Sequence, residues 1–255
     1  MAEQLPIGPH IPRPEGAVPG SPAPWSVLPE AERRGVTIDE VARSLEHRVD
    51  VQPRARSLVE QVVTPAELPD SGDSRPAAVV CVLFEADGEA NVLLTRRSAH
   101  LRSHGGEVSF PGGRLQPGEL PLQAALREAQ EEVGVDPATV EVIGQLTPLT
   151  TVRSPALVHC FVARLAVGPV GREWGFRSDP TEVEKVFWVP LAELASGDVY
   201  HEELWPIPGP VGWPSYRAVP FFRLAEDVVW GATGRLLTEL LGTVLGERNV
   251  ARGDR

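Results

Sequence analysis

The sequence predicts a mixed α/β fold, on three observations. Apolar runs of strand length recur through its middle: PAAVVCVLF (76–84), ANVLLTRR (90–97) and ALVHCFVARLAV (156–167). The first two flank EADGE, whose Asp87-Gly88 pair is a strong hairpin signal. Two further stretches, 120–134 and 232–246, carry apolar residues at the 3.6-residue period of a helix.

Taken in order, residues 1–26 hold seven prolines ahead of Trp25 and read as a disordered, polyproline-like tail. Residues 27–74 read as a helical extension and linker. Within them TIDEVARSLEHR (37–48) has Thr37 and Glu40 at capping-box spacing and an apolar stripe of Ile38, Val41, Ala42 and Leu45. A second short helix is expected at 56–62, and PAELPDSGDSRP (65–76) is linker-like. The main domain is expected over 75–250. GEVSFPGG (106–113) is extended and ends in glycines, and LPLQAALREAQEEVG (120–134) is the clearest helix, with Pro121 in its first turn and Gly134 as its stop. TVEVIGQLTPLTTV, ALVHCFVARLAV, VEKVFWVPL and SYRAVPFF read as strands. The last helix buries Leu236, Leu237, Leu240, Leu241 and Val244.

Composition narrows the partners. With 24 Lys and Arg against 35 Asp and Glu, the net charge of −11 excludes a general nucleic-acid binder. No apolar run reaches the roughly 18–20 residues of a membrane span. No basic-then-apolar leader is visible, so the cytoplasm is the expected compartment. Cys81 and Cys160 lie inside apolar runs and read as buried thiols.

The helix at 120–134 raises a physical question. Leu122, Ala125, Leu126, Ala129 and Val133 gather on one side, and Glu128, Glu131 and Glu132 on the other. Like charges so spaced oppose helix formation by roughly 0.2–0.5 kcal/mol per pair. Arg127 relieves part of this. A hard divalent cation would relieve more, since clustered carboxylate oxygens suit Mg²⁺ or Mn²⁺.

Upstream stand Phe110, Pro111, Gly112, Gly113 and Glu119. Gly113, Glu119, Arg127, Glu128, Glu131, Glu132 and Gly134 fill the pattern G-x5-E-x7-R-E-x-x-E-E-x-G. In this the chain resembles the Nudix hydrolases, departing only where Ala129 takes an aliphatic slot. The resemblance implies a Nudix-type α/β/α sandwich with a mixed central sheet, and hydrolysis of a nucleoside diphosphate derivative with Mg²⁺ or Mn²⁺. It implies Glu128 and Glu132 as chief metal ligands, with Glu131 joining them or activating water, and the backbone carbonyl of Gly112 as a further ligand. Arg127 would orient the carboxylates. Glu119 is divided between an outer ligand and a structural part.

LLTRRSAHLRSHGGEVSFPGG (93–113) also fits L-L-T-x-R-[SA]-x3-R-x3-G-x3-F-P-G-G without a gap. That resembles the coenzyme A pyrophosphatase branch, whose members split CoA or its thioesters into 3′,5′-ADP and 4′-phosphopantetheine. Residues 93–114 carry Arg96, Arg97, Arg102 and Arg114 against Glu107, a local +3 in an acidic chain. Arg97 and Arg102 are the expected phosphate contacts, since a guanidinium grips phosphate in bidentate fashion. Arg96 is a weaker candidate, His104 reads as a hydrogen-bonding loop residue, and Glu182 as a surface residue or an extra base or ligand. Two rivals stand: a Nudix hydrolase of ADP-ribose or NADH, and a nucleotide-binding Nudix domain without turnover. A homodimer is left open.

Overall fold

The structure, a computed structural model, describes residues 11–46, 76–101, 103–151, 156–165, 178–207 and 215–253, with the backbone alone at 215 and 250–253. The helix expected at 56–62 and nearly all of the 65–76 linker lie outside the described residues, as does Arg102.

In chain order the strands and helices are β1 Val18–Pro19, α1 Ile38–Glu46, β2 Ala77–Ala86, β3 Glu89–Arg97, β4 Val108–Ser109, β5 Gly112–Arg114, α2 Pro121–Val133, β6 Val140–Thr150, β7 Leu157–Leu165, β8 Val183–Pro190, α3 Leu191–Leu194, β9 Tyr200–Ile207, β10 Ser215–Arg223, β11 Val228–Trp230 and α4 Gly231–Gly253. The central sheet runs β4-β3-β2-β7-β6, with β5 beside β2 and β8 beside β3. Its β2–β7 pair is parallel and its other pairs are antiparallel, so the sheet is mixed as expected. A second, antiparallel sheet runs β1-β9-β10-β11. The sequence reading did not anticipate β9, β11 or this sheet.

Strand alternation decides the layers. Successive side chains on a strand point to opposite faces. Accordingly β2 sends Ala78, Val80 and Val82 toward α2, where Ala124, Ala125, Ala129 and Val133 meet them. It sends Cys81 and Leu83 the other way, toward α1 and the leucines of α4. The result is the α/β/α sandwich. Ala129 is fully buried against the sheet, as its small side chain suggests. The Asp87-Gly88 turn takes positive φ at both residues, 54° and 74°, which the tight hairpin requires. Both cysteines are free and buried, and burial pushes their thiols up.

The N-terminal reading needs correction. Residues 11–26 are not a detached tail: Val18 pairs with Leu204, and Pro19 with Glu203, at the edge of the second sheet. Trp25 is 1% exposed, donates its Nε1–H to Ala195 O at 2.9 Å and packs edge-on to Tyr200. Prolines do cut this strand to two residues, yet an edge strand tolerates them. One buried tryptophan, worth some 150–250 Å² of burial, anchors the rest. Nor is α1 a separate extension. Val41 and Leu45 share one core with Leu236 to Leu245 of α4, and Thr37 and Glu40 form the capping contacts their spacing predicts.

Candidate active site

The site begins where β5 lies against β2. Gly112 has φ +152°, and a Cβ there would run into Ala78 O and Val79 Cα, so only glycine fits this close backbone approach. At Gly113 a Cβ would fall 2.5 Å from the carboxyl carbon of Glu128. The bare backbone is what lets that carboxylate lie down on the strand.

Helix α2 follows and presents its glutamates differently from one another. Arg127 spans most of them. Its Nε and Nη2 donate to the two oxygens of Glu119 at 2.8 and 3.0 Å, and its Nη1 donates to Glu128 at 2.8 Å and Glu131 at 3.0 Å. Paired first with Glu119 and then with Glu128, its guanidinium is held charged well above the usual range, while the same grip lowers the Glu119 carboxyl. Arg127 therefore ties Glu119, Glu128 and Glu131 together.

Glu132 differs from the other two glutamates in its burial. It is 4% exposed, accepting from Gly112 N at 3.1 Å and facing Arg97 Nη1 at 3.4 Å. Burial pushes its pKa from 4.5 up to about 7, with the nearby charges of Glu128 and Glu182 adding to the rise. Glu131 instead points outward, its side chain 59% exposed. Among the described residues no three His, Cys, Asp or Glu side chains converge as a ready-made metal cluster. The pair that fits a cation is Glu128 and Glu132, one helical turn apart beside the glycine strand. Their oxygen donors suit a hard divalent ion, and the rise in Glu132 marks a carboxylate whose charge lacks full compensation. Gly112 meets Glu132 through its N–H.

The arginines separate. Arg97 faces Glu132. Arg96 is not brought to the site: Asp227 at 2.9 Å and Glu184 at 3.2 Å hold its guanidinium. Adjacent residues on a strand point to opposite faces, and the two guanidiniums sit on different carboxylates. His104, at φ +58°, lies 2.8 Å by Nδ1 from Glu107 and stiffens the loop, the role its position suggested. Glu182 is exposed, yet its charge reaches Glu132.

A cavity of about 340 Å³ adjoins these groups, at the small end of the roughly 300–1,000 Å³ typical of ligand pockets. Arg97, Gly112 and Gly113 line it on the side of the carboxylates; Glu128 and Glu132 do not themselves line it, but stand behind that wall. Trp205, Arg217 and Trp230 of the second sheet and Gly231, Ala232, Thr233 and Arg235 of α4 line it as well. Among the described residues its charged lining is Arg97, Arg217 and Arg235 against Glu107. The sequence reading missed Trp205, Arg217, Trp230 and Arg235. They lie about 90 residues or more beyond the glycine turn, and no spacing links them to it.

A carboxylate helix packed on a glycine strand, beside an arginine-lined cavity, is the arrangement of a hydrolase acting on phosphoanhydrides. Residues 74–207 match the NUDIX domain family, and the chain belongs to the Nudix family of hydrolases. It is 37% identical over 171 residues to an uncharacterised Nudix hydrolase NudL of Photorhabdus laumondii, covering 67% of this chain and 85% of that protein. It is 41% identical over 130 residues to Nudix hydrolase 3 of Caenorhabditis elegans, 51% of this chain and 53% of the relative, so the match spans about half of that relative's length. Among solved structures, a MutT/nudix family protein from Enterococcus faecalis is 16% identical with a TM-score of 0.44, over 85% of this chain and 75% of that one. Nudix hydrolases generally use divalent cations. Among the described residues, no helix is long and apolar enough to cross a membrane.

Proposed function

We infer that this chain hydrolyses the pyrophosphate bond of coenzyme A or a CoA thioester, releasing 3′,5′-ADP and 4′-phosphopantetheine, with Mg²⁺ or Mn²⁺. The observation that carries this reading is the arginine- and tryptophan-lined cavity reaching the carboxylate pair through Arg97 and the Gly112–Gly113 backbone. The gapless 93–113 motif supports the choice of CoA over other diphosphates.

Glu128 and Glu132 would hold the cation, with the Gly112 carbonyl as a further ligand. The ion supplies neutralisation of phosphate charge and makes water a stronger nucleophile. Arg127 keeps Glu128 and Glu131 in place, so no reorganisation is needed during reaction. Glu131, exposed and held by a single Arg127 N–H, takes the proton of the attacking water. Arg97 and Arg102 grip diphosphate oxygens, and positioning and electrostatics supply the rate.

Hydrolysis rates for CoA, ADP-ribose and NADH, measured side by side with divalent cation, test the reading. CoA should lead. Faster cleavage of ADP-ribose or NADH would move the chain to another Nudix branch, and tight nucleotide binding without turnover would make it a binding domain.

A further inference from the structure

The cavity carries more positive charge than a diphosphate at Arg97 would use. Arg217 on β10 and Arg235 near the start of α4 both line it. Neither has an ion pair or hydrogen bond among the described residues, whereas Arg96, Arg127, Arg164 and Arg248 are all tied to carboxylates. Both are free to pair with an anion seated in that cavity, and a guanidinium grips phosphate oxygens in bidentate fashion.

Two further observations point to the same ligand. Arg217 stands opposite Trp205 in the β9–β10 register, and Trp205 packs on Trp230 with ring centroids 5.8 Å apart, an aromatic wall beside the charges. The first turn of the 23-residue α4, Gly231 to Thr233, opens onto the same space and offers backbone N–H groups and the positive end of the helix dipole.

We propose that Arg217, Arg235 and the N-terminus of α4 form a subsite for a phosphomonoester remote from the scissile diphosphate, the 3′-phosphate of the CoA nucleotide, with the purine against Trp205 and Trp230. This rests on the CoA reading above and deepens it. Arg97 serves the diphosphate from β3. The second set, on different elements, reads a second, doubly charged group that ADP-ribose and NADH lack. Selection is therefore built into the C-terminal third of the chain, outside the motif that defines the chemistry.

The test compares CoA with 3′-dephospho-CoA, which keeps the scissile diphosphate and loses only the monoester. Charge-assisted hydrogen bonds are worth about 1.5–3 kcal/mol, or roughly 10- to 150-fold. The wild-type protein should favour CoA by that factor in kcat/KM, chiefly through KM. In R217Q and in R235Q, made separately, that preference should fall about tenfold or more, with R217K keeping part of it. Equal use of both substrates by the wild type, or equal losses on both in the variants, overturns the subsite. Calorimetric binding of 3′,5′-ADP and 5′-AMP separates this from the hydrolase reading. If CoA is not cleaved, yet 3′,5′-ADP binds more tightly than 5′-AMP and loses that advantage in the variants, the subsite stands and the CoA hydrolase reading falls.

Discussion

Replacing Glu132 by Gln should abolish most turnover and, at alkaline pH without metal, make the protein more stable. The unfolded chain releases this proton near pH 4.5 and the folded protein near 7, so between those values the folded state binds more protons. Stability therefore falls as pH rises through the window, by on the order of 3 kcal/mol for this group alone. The substituted amide would keep an acceptor for Gly112 N–H and carry no charge to bury, but it would lose the 3.4 Å ion pair with Arg97. The net gain is then about 1–2 kcal/mol at pH 8, shrinking toward pH 4.5. Denaturant unfolding of both proteins, with chelator, at the two pH values reads the difference directly. Excess Mn²⁺ should reverse the order by stabilising the wild type selectively. A variant less stable than wild type by the same amount at both pH values would refute the reasoning, because Glu132 would then be an ordinary structural carboxylate.

Other perturbations probe separate parts of the site. Gly113→Ala puts a methyl group 2.5 Å from the Glu128 carboxyl carbon; Mn²⁺ affinity and kcat should each fall about 10-fold or more with circular dichroism unchanged. Arg127→Lys cannot reproduce the two-point grip on Glu119 together with the contacts to Glu128 and Glu131, so steady-state kinetics should show kcat reduced about 10- to 100-fold with little change in KM. Trp25→Ala should cost about 3–5 kcal/mol in chemical denaturation, whereas a tryptophan in a detached tail would cost nothing measurable.

The carboxylate helix was legible in the sequence because its signals are local. Pro121 and Gly134 bound it, the apolar period fixes its buried side, and the glutamates follow at fixed spacing. The spacing could not say which glutamate is buried. Glu132 meets Gly112 and Arg97, which are distant in sequence and come to it because β5 and β3 flank β2, the strand on which α2 packs. The separation of Arg96 from Arg97 was readable in principle, since neighbours on a strand diverge, but charge counting along the loop obscured it. The second sheet was hidden for another reason. Its β9, YHEELWPI, mixes charged and aromatic residues without clean alternation, and β1 is two residues long. Trp25, Arg217, Trp230 and Arg235 acquire their roles only once that sheet is in place.

The measurement closest to the central claim is product analysis of CoA incubated with the protein, with and without Mn²⁺. Metal-dependent appearance of equimolar 3′,5′-ADP and 4′-phosphopantetheine is expected. Intact CoA under both conditions, in a preparation that binds Mn²⁺ and cleaves another nucleoside diphosphate derivative, would contradict it.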